Sequence, residues 1–379
     1  MKKKIIVLIT IVIFLVSISS LIILGIQKKS KDIEKKVVEP QQEEYKLTLG
    51  MVGDTLYHGG LYVDGKNRNN KDYDFTHNLV NIRPYIEKYD LAFYNQESIL
   101  GGTSLGLSTY PRFNSPQQVG DAYLEAGFNL VSLANNHTLD KGESGIKKSV
   151  AYWKEKDAVT AGSYTSEEER SNPKIHTKNN INYVLLAYTT TTNGLIAPKG
   201  KEYLVNTYSY DKVKDDIEKV RDNTDIIIVS MHWGDEYQHT PSKHQIKIAK
   251  ELSSLGADII IGHHPHVIQP IEIIDETVVF YSLGNFISGQ VGIDRLIGLL
   301  GSVEIKKKVV DGIVTNVSIG NIKGDLTYTY KTSNMRNYTV YPFSKLTDEI
   351  LPGYKKYKSS FEAYLNISNN PNIIIGSLK

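Results

Sequence analysis

Two kinds of apolar pattern divide the chain. From Ile5 to Ile26 apolar residues run almost unbroken, and the only polar interruptions are Thr10, Ser17, Ser19 and Ser20. As a helix this run is about 33 Å long, enough to cross a bilayer core, and its hydroxyls can bond back to helix carbonyls. Lys2, Lys3 and Lys4 precede it as a basic flank over residues 1–4. The competing reading is a cleaved signal peptide. The run is long for that and no A-x-A-like site follows, so an uncleaved transmembrane anchor over residues 5–26 is the expectation. Lys28, Lys29, Lys31, Lys35 and Lys36 lie on the far side, so the positive-inside rule is ambiguous about sidedness. A single N-terminal anchor usually acts as an export signal. The expectation is therefore a single-pass protein of the cell membrane, partnered with the cytoplasmic membrane, with its working domain extracytoplasmic.

Gln27 to Glu44 is polar, charged and poor in large apolar residues, and reads as a stalk. From Tyr45 the pattern becomes short β-type runs alternating with helical stretches. The runs predict strands over Leu47–Val52, Leu91–Tyr94, Leu130–Leu133, Tyr183–Ala187, Ile226–Ser230, Ile259–Ile261 and Val278–Tyr281. Helical periodicity predicts helices over Pro116–Ala126, Gly145–Lys156, Asp211–Asp222 and Lys243–Leu255. Such alternation argues for an α/β layered domain over residues 45–300. Residues 301–379 read as an extension packed on it, strand-rich over Val303–Lys307 and Ile313–Ile319, then helical and amphipathic over Ser344–Asn366.

Composition narrows the chemistry. Lys plus Arg total 44 and Asp plus Glu 42, a formal charge of +2, which offers no concentrated basic face for nucleic acid. Cysteine is absent, so disulfides, thiolate nucleophiles and Cys-based zinc sites are excluded. Any metal must be held by His, Asp, Glu or Asn.

Those residue types gather where the predicted strands end. The first strand runs into Gly53-Asp54, with His58 soon after; the second into Asn95-Gln96-Glu97; the third into Asn135-Asn136-His137. Later strands run into His232, into Gly262-His263-His264-Pro265-His266, and into Ser282-Leu283-Gly284-Asn285. In open α/β sheets, ligand sites form beyond the carboxyl ends of strands. Each piece alone has an ordinary reading: Gly-Asp as a turn, Glu97 as a surface charge, Asn135-Asn136 as a cap, His232 as a core histidine. His-His-Pro-His resists one, since three imidazoles in four residues have little structural use. Imidazoles with carboxylates suit manganese, zinc or iron, so one or two divalent ions are expected. Such ions clamp phosphoryl oxygens and lower the pKa of bound water, and a spare histidine can protonate a leaving group.

The motifs resemble the CapA family, the poly-γ-glutamate capsule synthesis proteins related to calcineurin-like metallophosphoesterases. The resemblance rests on Gly53-Asp54-x3-His58, Asn95-Gln96-Glu97, Ser132 to Gly142, His232 to Tyr237, Gly262 to Gln269 and Tyr281 to Phe286, and spans about residues 46 to 290 in order. It implies a four-layer αββα sandwich, metallophosphoesterase-like, with a metal centre at the sheet edge. By motif order it implies Asp54, Glu97, Asn136, His232, His264 and His266 as metal ligands, with His58 nearby and His263 at a permissive position. Glu97 stands where the phosphoesterases use a bridging Asp, and the first block lacks their short Asp-x-His spacing. His137 resembles the phosphate-side acid. Arg112 holds a family-typical basic position, where it either binds an anionic substrate group or pairs with a carboxylate, and Asn285 is expected to line the pocket.

Two functions compete. One is a metal-dependent hydrolase or transferase acting on a phosphoester or an anionic envelope polymer such as poly-γ-glutamate. The other is a non-catalytic polymer-binding or scaffolding subunit beside membrane capsule synthase subunits.

Overall fold

The computed structural model describes residues 1–33, 40–68 and 72–378. Two units separate, Met1–Glu43 with Val309–Val314, and Glu44–Lys308 with Thr315–Lys379.

In the first unit a helix spans Lys2–Ile33. An 18-residue stretch within Lys2–Lys31 has a mean hydropathy of 3.1 and none of that stretch is buried, so the helix is long and apolar enough to cross a membrane. The hydroxyls inside it are satisfied locally: Thr10 donates to the Ile6 carbonyl at 2.7 Å, and Ser19 and Ser20 both donate to that of Val16 at 2.8 Å. The helix overshoots the apolar run because Gln27, Lys28, Lys29 and Lys31 are good helix formers. Much of the expected stalk is thus regular structure: the helix takes it to Ile33, and a strand begins at Gln42. Residues 34–39 of that stalk lie outside the described residues.

The second unit is built on two sheets. The nine-stranded sheet takes β1 (Gln42–Leu56), β2 (Leu91–Gln96), β3 (Leu130–Ser132) and β4 (Val159–Ala161) first. The next six strands form the other sheet: β5 (His176–Lys178), β6 (Ile181–Thr189), β7 (Ile226–His232), β8 (Ile259–His263), β9 (Ile271–Ile274) and β10 (Thr277–Phe280). The chain then returns to the first sheet with β11 (Asn285–Ser288), β12 (Ile297–Val310), β13 (Ile313–Tyr330), β14 (Thr339–Pro342) and β15 (Ile373–Ile375). The strand orders are β14-β13-β12-β1-β2-β3-β4, with β11 beside β1 and β15 beside β13, and β5-β6-β7-β8-β10-β9.

Strand alternation explains the layering. Leu47, Leu49, Met51, Leu91 and Phe93 of one sheet meet Tyr183, Leu185, Ile226, Ile228 and Ile261 of the other in one core. The intervening residues face outward onto helices. Val52, Ala92, Tyr94 and Val131 pack with Val119, Tyr123, Tyr152 and Trp153 of the helices Gln118–Glu125 and Gly142–Lys154. Val184, Leu186, Ile227, Val229 and Ile260 pack with Val213, Ile217, Ile248 and Leu252 of the helices Tyr210–Val220 and Lys243–Ser254. The result is helices, sheet, sheet, helices. Because both faces of the central strands are covered, those strands are apolar throughout, and each fully buried aliphatic side chain is worth about 1.5–3 kcal/mol.

The extension after residue 300 completes this sheet. Its helix is shorter than the pattern predicts, Tyr354–Glu362 in place of Ser344–Asn366. Pro352 and the left-handed Gly353 (φ 75°) break the pattern just before it. The helix Gly59–Arg68 and the short strands β4, β5, β9, β11, β14 and β15 carry too few periodic residues to announce themselves.

Candidate metal centre

Parallel pairing brings the polar strand ends into one row. Asp54 of β1 lies opposite Asn95 of β2 and Asn285 of β11, and His232 of β7 lies opposite His263 of β8. Gly53 permits the close approach this needs. A Cβ there would lie 1.8 Å from the Gly284 carbonyl oxygen, to which the Asp54 N–H donates at 2.8 Å. After β8 the chain turns sharply, and His264 (φ 97°) and His266 (φ 59°) both sit in the left-handed region. For non-glycine residues that costs about 1–3 kcal/mol each, and such strain gathers at functional sites. Bonds from the Trp233 N–H to the His263 carbonyl (3.0 Å) and from the Tyr237 N–H to the Pro265 carbonyl (2.8 Å) hold the turn.

The side chains converge on a buried carboxylate. Glu97 is fully buried, and neither of its oxygens has a hydrogen-bond partner. His232 Nε2 and His266 Nε2 each stand 3.7 Å from Glu97 Oε1. His232 Nε2 is also 3.0 Å from Asn136 Oδ1, and its Nδ1 is 3.4 Å from Asn95 Nδ2. Asn95 donates in addition to Asp54 Oδ1 at 2.8 Å. Asp54 Oδ2 accepts from the His264 N–H at 3.2 Å and lies 3.2 Å from His266 Nδ1. Three sets of donor atoms lie within 4.8 Å of one another: Glu97, His232 and His264; Asp54, Glu97 and His266; Glu236, His264 and His266. Glu97 belongs to the first two sets. The buried, unpartnered Glu97 oxygens and His264 Nδ1 fit a divalent ion, whose charge would supply the missing partner.

Burial and charge set the protonation. Burial pushes Glu97 well above the usual carboxylate range; His266 opposes this and Asp54 adds to it. Burial also opposes ionisation of Asp54, but the imidazoles of His263 and His266 outweigh it and hold the carboxyl well below its ordinary value. His232 is held well below the usual imidazole value by burial and by His264. His264 is lowered to about 4 by burial and by His266. His266 goes the other way: burial disfavours its charge, but Glu97 and Asp54 raise it to about 9. Two imidazoles are thus neutral and ready to ligate, while the third holds the proton that an ion would displace.

Residues 48–290 match the sequence profile described as bacterial capsule synthesis protein PGA_cap. The chain belongs to that family. It is 33% identical over 258 residues to the capsule biosynthesis protein CapA of Bacillus anthracis, covering 66% of this chain and 61% of that one. It is 34% identical over 168 residues to the PGA biosynthesis protein CapA of Bacillus subtilis, covering 44% of each. A probable polyglutamine synthesis accessory protein of Mycobacterium tuberculosis is 25% identical over 175 residues, 43% of this chain and 46% of that one. The match thus spans between about two fifths and three fifths of these relatives' length. Among solved structures, a putative 5'-nucleotidase of Staphylococcus aureus aligns with TM-score 0.46 and 16% identity over 84% of this chain and 59% of that one. A calcineurin-like phosphoesterase of Bacillus subtilis aligns with TM-score 0.41 and 14% identity over 73% and 90%. The fold stands on the strand order and packing above, not on these likenesses.

In this PGA_cap chain Asp54, Glu97, Asn136, His232, His264 and His266 come together. His137 stands beside them, its Nδ1 2.7 Å from Asp140 Oδ2, which also accepts from the Phe113 N–H at 2.6 Å. His58 is outside the three donor sets: its Nδ1 lies 3.0 Å from the Leu56 carbonyl and 3.2 Å from the Gly289 N–H, and burial lowers it to about 4. His263 is fully buried, stacked on Phe93 with centroids 5.5 Å apart and 3.5 Å from Asp54 Oδ1. Asn285 is buried and engaged within the protein: its Oδ1 is 3.0 Å from His266 Nδ1, and its Nδ2 donates to Gln290 and to the Arg295 carbonyl. Arg112 is exposed, next to Phe113, whose ring packs edge-on against both His58 and His137. Motif reading does not single out Asn95, Asp140 and Glu236 as participants, although all three stand inside the quoted blocks. Asn193, which accepts from Asn136 Nδ2 at 3.4 Å, lies in a loop with no sequence signal.

Proposed function

We propose that this PGA_cap protein is anchored by the helix Lys2–Ile33, with its two-sheet domain outside the cell membrane. There it acts as a metal-dependent hydrolase or transferase on an anionic envelope polymer or its phosphoester precursor. The observation that carries the reading is Glu97, a carboxylate buried without a partner between two donor sets. Asn136, His232 and His264 with Glu97 would hold one ion, and Asp54 and His266 with Glu97 would hold a second. Manganese, zinc and iron suit these donors. When bound, such ions polarise a phosphoryl or acyl oxygen and make hydroxide available near neutral pH.

The chain's own residues supply the rest. Asp140 fixes His137 through Nδ1, leaving Nε2 to carry a proton to a leaving group. Asn95 ties Asp54 to His232 and so keeps the two sets in register. The test is turnover of phosphodiesters and of poly-γ-glutamate by the purified chain with added manganese or zinc. Absence of metal-dependent turnover, with no change on His264→Ala, would refute the enzyme reading.

A second reading is favoured by the name of the Mycobacterium relative, a synthesis accessory protein. In it the domain is a polymer-binding or scaffolding subunit of a membrane synthase. An Asp54→Ala/His137→Ala variant that still captures synthase subunits, in cells that still make capsule, would support this reading over the first.

A further inference from the structure

One cation stands on the segment that follows β11, and a second packs against that segment from the end of β13. Arg295, half-buried in the short helix Ile293–Leu296, holds its Cζ 4.8 Å from the ring centre of Tyr237. That ring is 6.2 Å from the imidazole of His266. The main chain is tied to the same histidine, because Asn285 donates to the Arg295 carbonyl at 3.0 Å and meets His266 Nδ1 at 3.0 Å. Gly292 makes room for the guanidinium. It has φ 102°, and a Cβ there would lie 2.7 Å from a terminal nitrogen of Arg295.

Lys331, just past β13, is half-buried and donates to the carbonyls of Gln290 (2.8 Å) and Gly289 (3.4 Å). Its ammonium lies 5.7 Å from the ring centre of Tyr338. The Gly289 N–H, in turn, meets His58 Nδ1 at 3.2 Å. Among the described residues neither cation pairs with a carboxylate: the Arg295 guanidinium lies against the Tyr237 ring, and the Lys331 ammonium against two carbonyls and the Tyr338 ring. Their charges are therefore not neutralised within the protein and stay available to an anion. Both residues follow position 290, where the family match ends.

We infer that Arg295 and Lys331 form a paired oxyanion site on the rim of the metal centre, holding a second acidic group of a polyanionic substrate. The inference rests on the proposed reading of that centre. A guanidinium offers a planar fork to carboxylate or phosphate, and an ammonium offers a point charge. Two cations anchored to one loop beside one metal centre suit a ligand with acidic groups at intervals, not a single small anion. The segment after the family match thereby contributes specificity to the site.

The test is equilibrium binding, without turnover, of poly-γ-glutamate and of inorganic polyphosphate to the full chain in detergent with manganese. Arg295→Ala/Lys331→Ala is expected to weaken binding at least about tenfold and to flatten its salt dependence. Its metal content should match wild type. Lys214→Ala/Lys219→Ala removes the same charge from the exposed face of the helix Tyr210–Val220, which covers the six-stranded sheet, and should stay within about twofold, as expected for surface charges. Loss confined to polyglutamate assigns the site to carboxylates, loss confined to polyphosphate assigns it to phosphates, and either supports the pair. Unchanged binding in the double variant, or a wild type that binds neither polymer, overturns the inference. So does a double variant that loses its metal, since the pair would then be structural. Failure of the metal centre itself shows separately, as absent metal or absent turnover in wild type.

Discussion

Replacing Glu97 by Gln should stabilise the metal-free protein and destabilise the metal-loaded one. Glu97 is fully buried with both oxygens unpartnered, and its nearest imidazole nitrogens are 3.7 Å from Oε1. Gln keeps the shape and removes the charge. Gln is left equally unpartnered there, so what it relieves is the added cost of the buried charge, and a gain of about 1–3 kcal/mol is expected in chelator near neutral pH. The sign with pH follows from the raised carboxyl. The native state of wild type binds more protons than the unfolded chain above about pH 4.5, so its stability falls as pH rises, and the variant escapes this fall. The advantage of Gln should therefore widen as pH rises above about 4.5. With metal at about a thousandfold excess over its dissociation constant, wild type gains about 4.1 kcal/mol, and a variant that binds poorly gains little. The order of stabilities then inverts. Urea melts of the full chain in detergent, with chelator and with manganese or zinc, read both states. A variant less stable than wild type in chelator, with an equal metal-induced shift, would refute the reasoning.

Further outcomes follow from the same geometry. Metal affinity should rise between about pH 6 and about pH 9, with proton release on binding, because His266 at about 9 must lose its proton while His264 at about 4 is already neutral; titration calorimetry in buffers of different ionisation enthalpy checks this, and release of no proton would contradict it. Asp140→Ala should cost about 1–3 kcal/mol and lower turnover at unchanged metal content, because it frees His137 and leaves the Phe113 N–H unpaired; denaturant melts beside elemental analysis separate the two effects. Asp216→Ala should cost about 3–5 kcal/mol without changing metal content, since it strands Arg170, 2.9 Å away, and removes the acceptor of the Tyr188 hydroxyl.

The candidate site was legible because strands stop where their apolar runs stop. Asp54, Glu97, Asn136, His232 and His264 all stand at or just beyond such ends, and parallel pairing carries those ends to one side of each sheet. Which atoms meet depends on register, which local pattern does not encode. His58 lies close to Asp54 in sequence, yet its Nδ1 sits against the Leu56 carbonyl and the Gly289 N–H, the latter from a loop 231 positions away. Asn285 reads as a pocket residue until Gln290 and Arg295 are seen to occupy its amide. Glu236 is exposed and sits in a turn, where a carboxylate gives no periodic signal, but that turn brings it to His264 and His266. The membrane-length helix was plain from hydropathy, whereas its extension to Ile33 rests on propensity in charged residues that reads equally well as a stalk. Three-residue strands such as β4 and β15 owe their existence to a neighbouring strand rather than to their own sequence.

Metal stoichiometry tests the central claim most directly. The full chain, purified in detergent and equilibrated with manganese, zinc or iron, is analysed for bound metal by elemental mass spectrometry. The account predicts two ions per chain, no more than one after His264→Ala, and loss of both after Glu97→Ala. A folded wild-type chain that retains no stoichiometric metal, or one whose metal content is indifferent to Glu97→Ala, would contradict it.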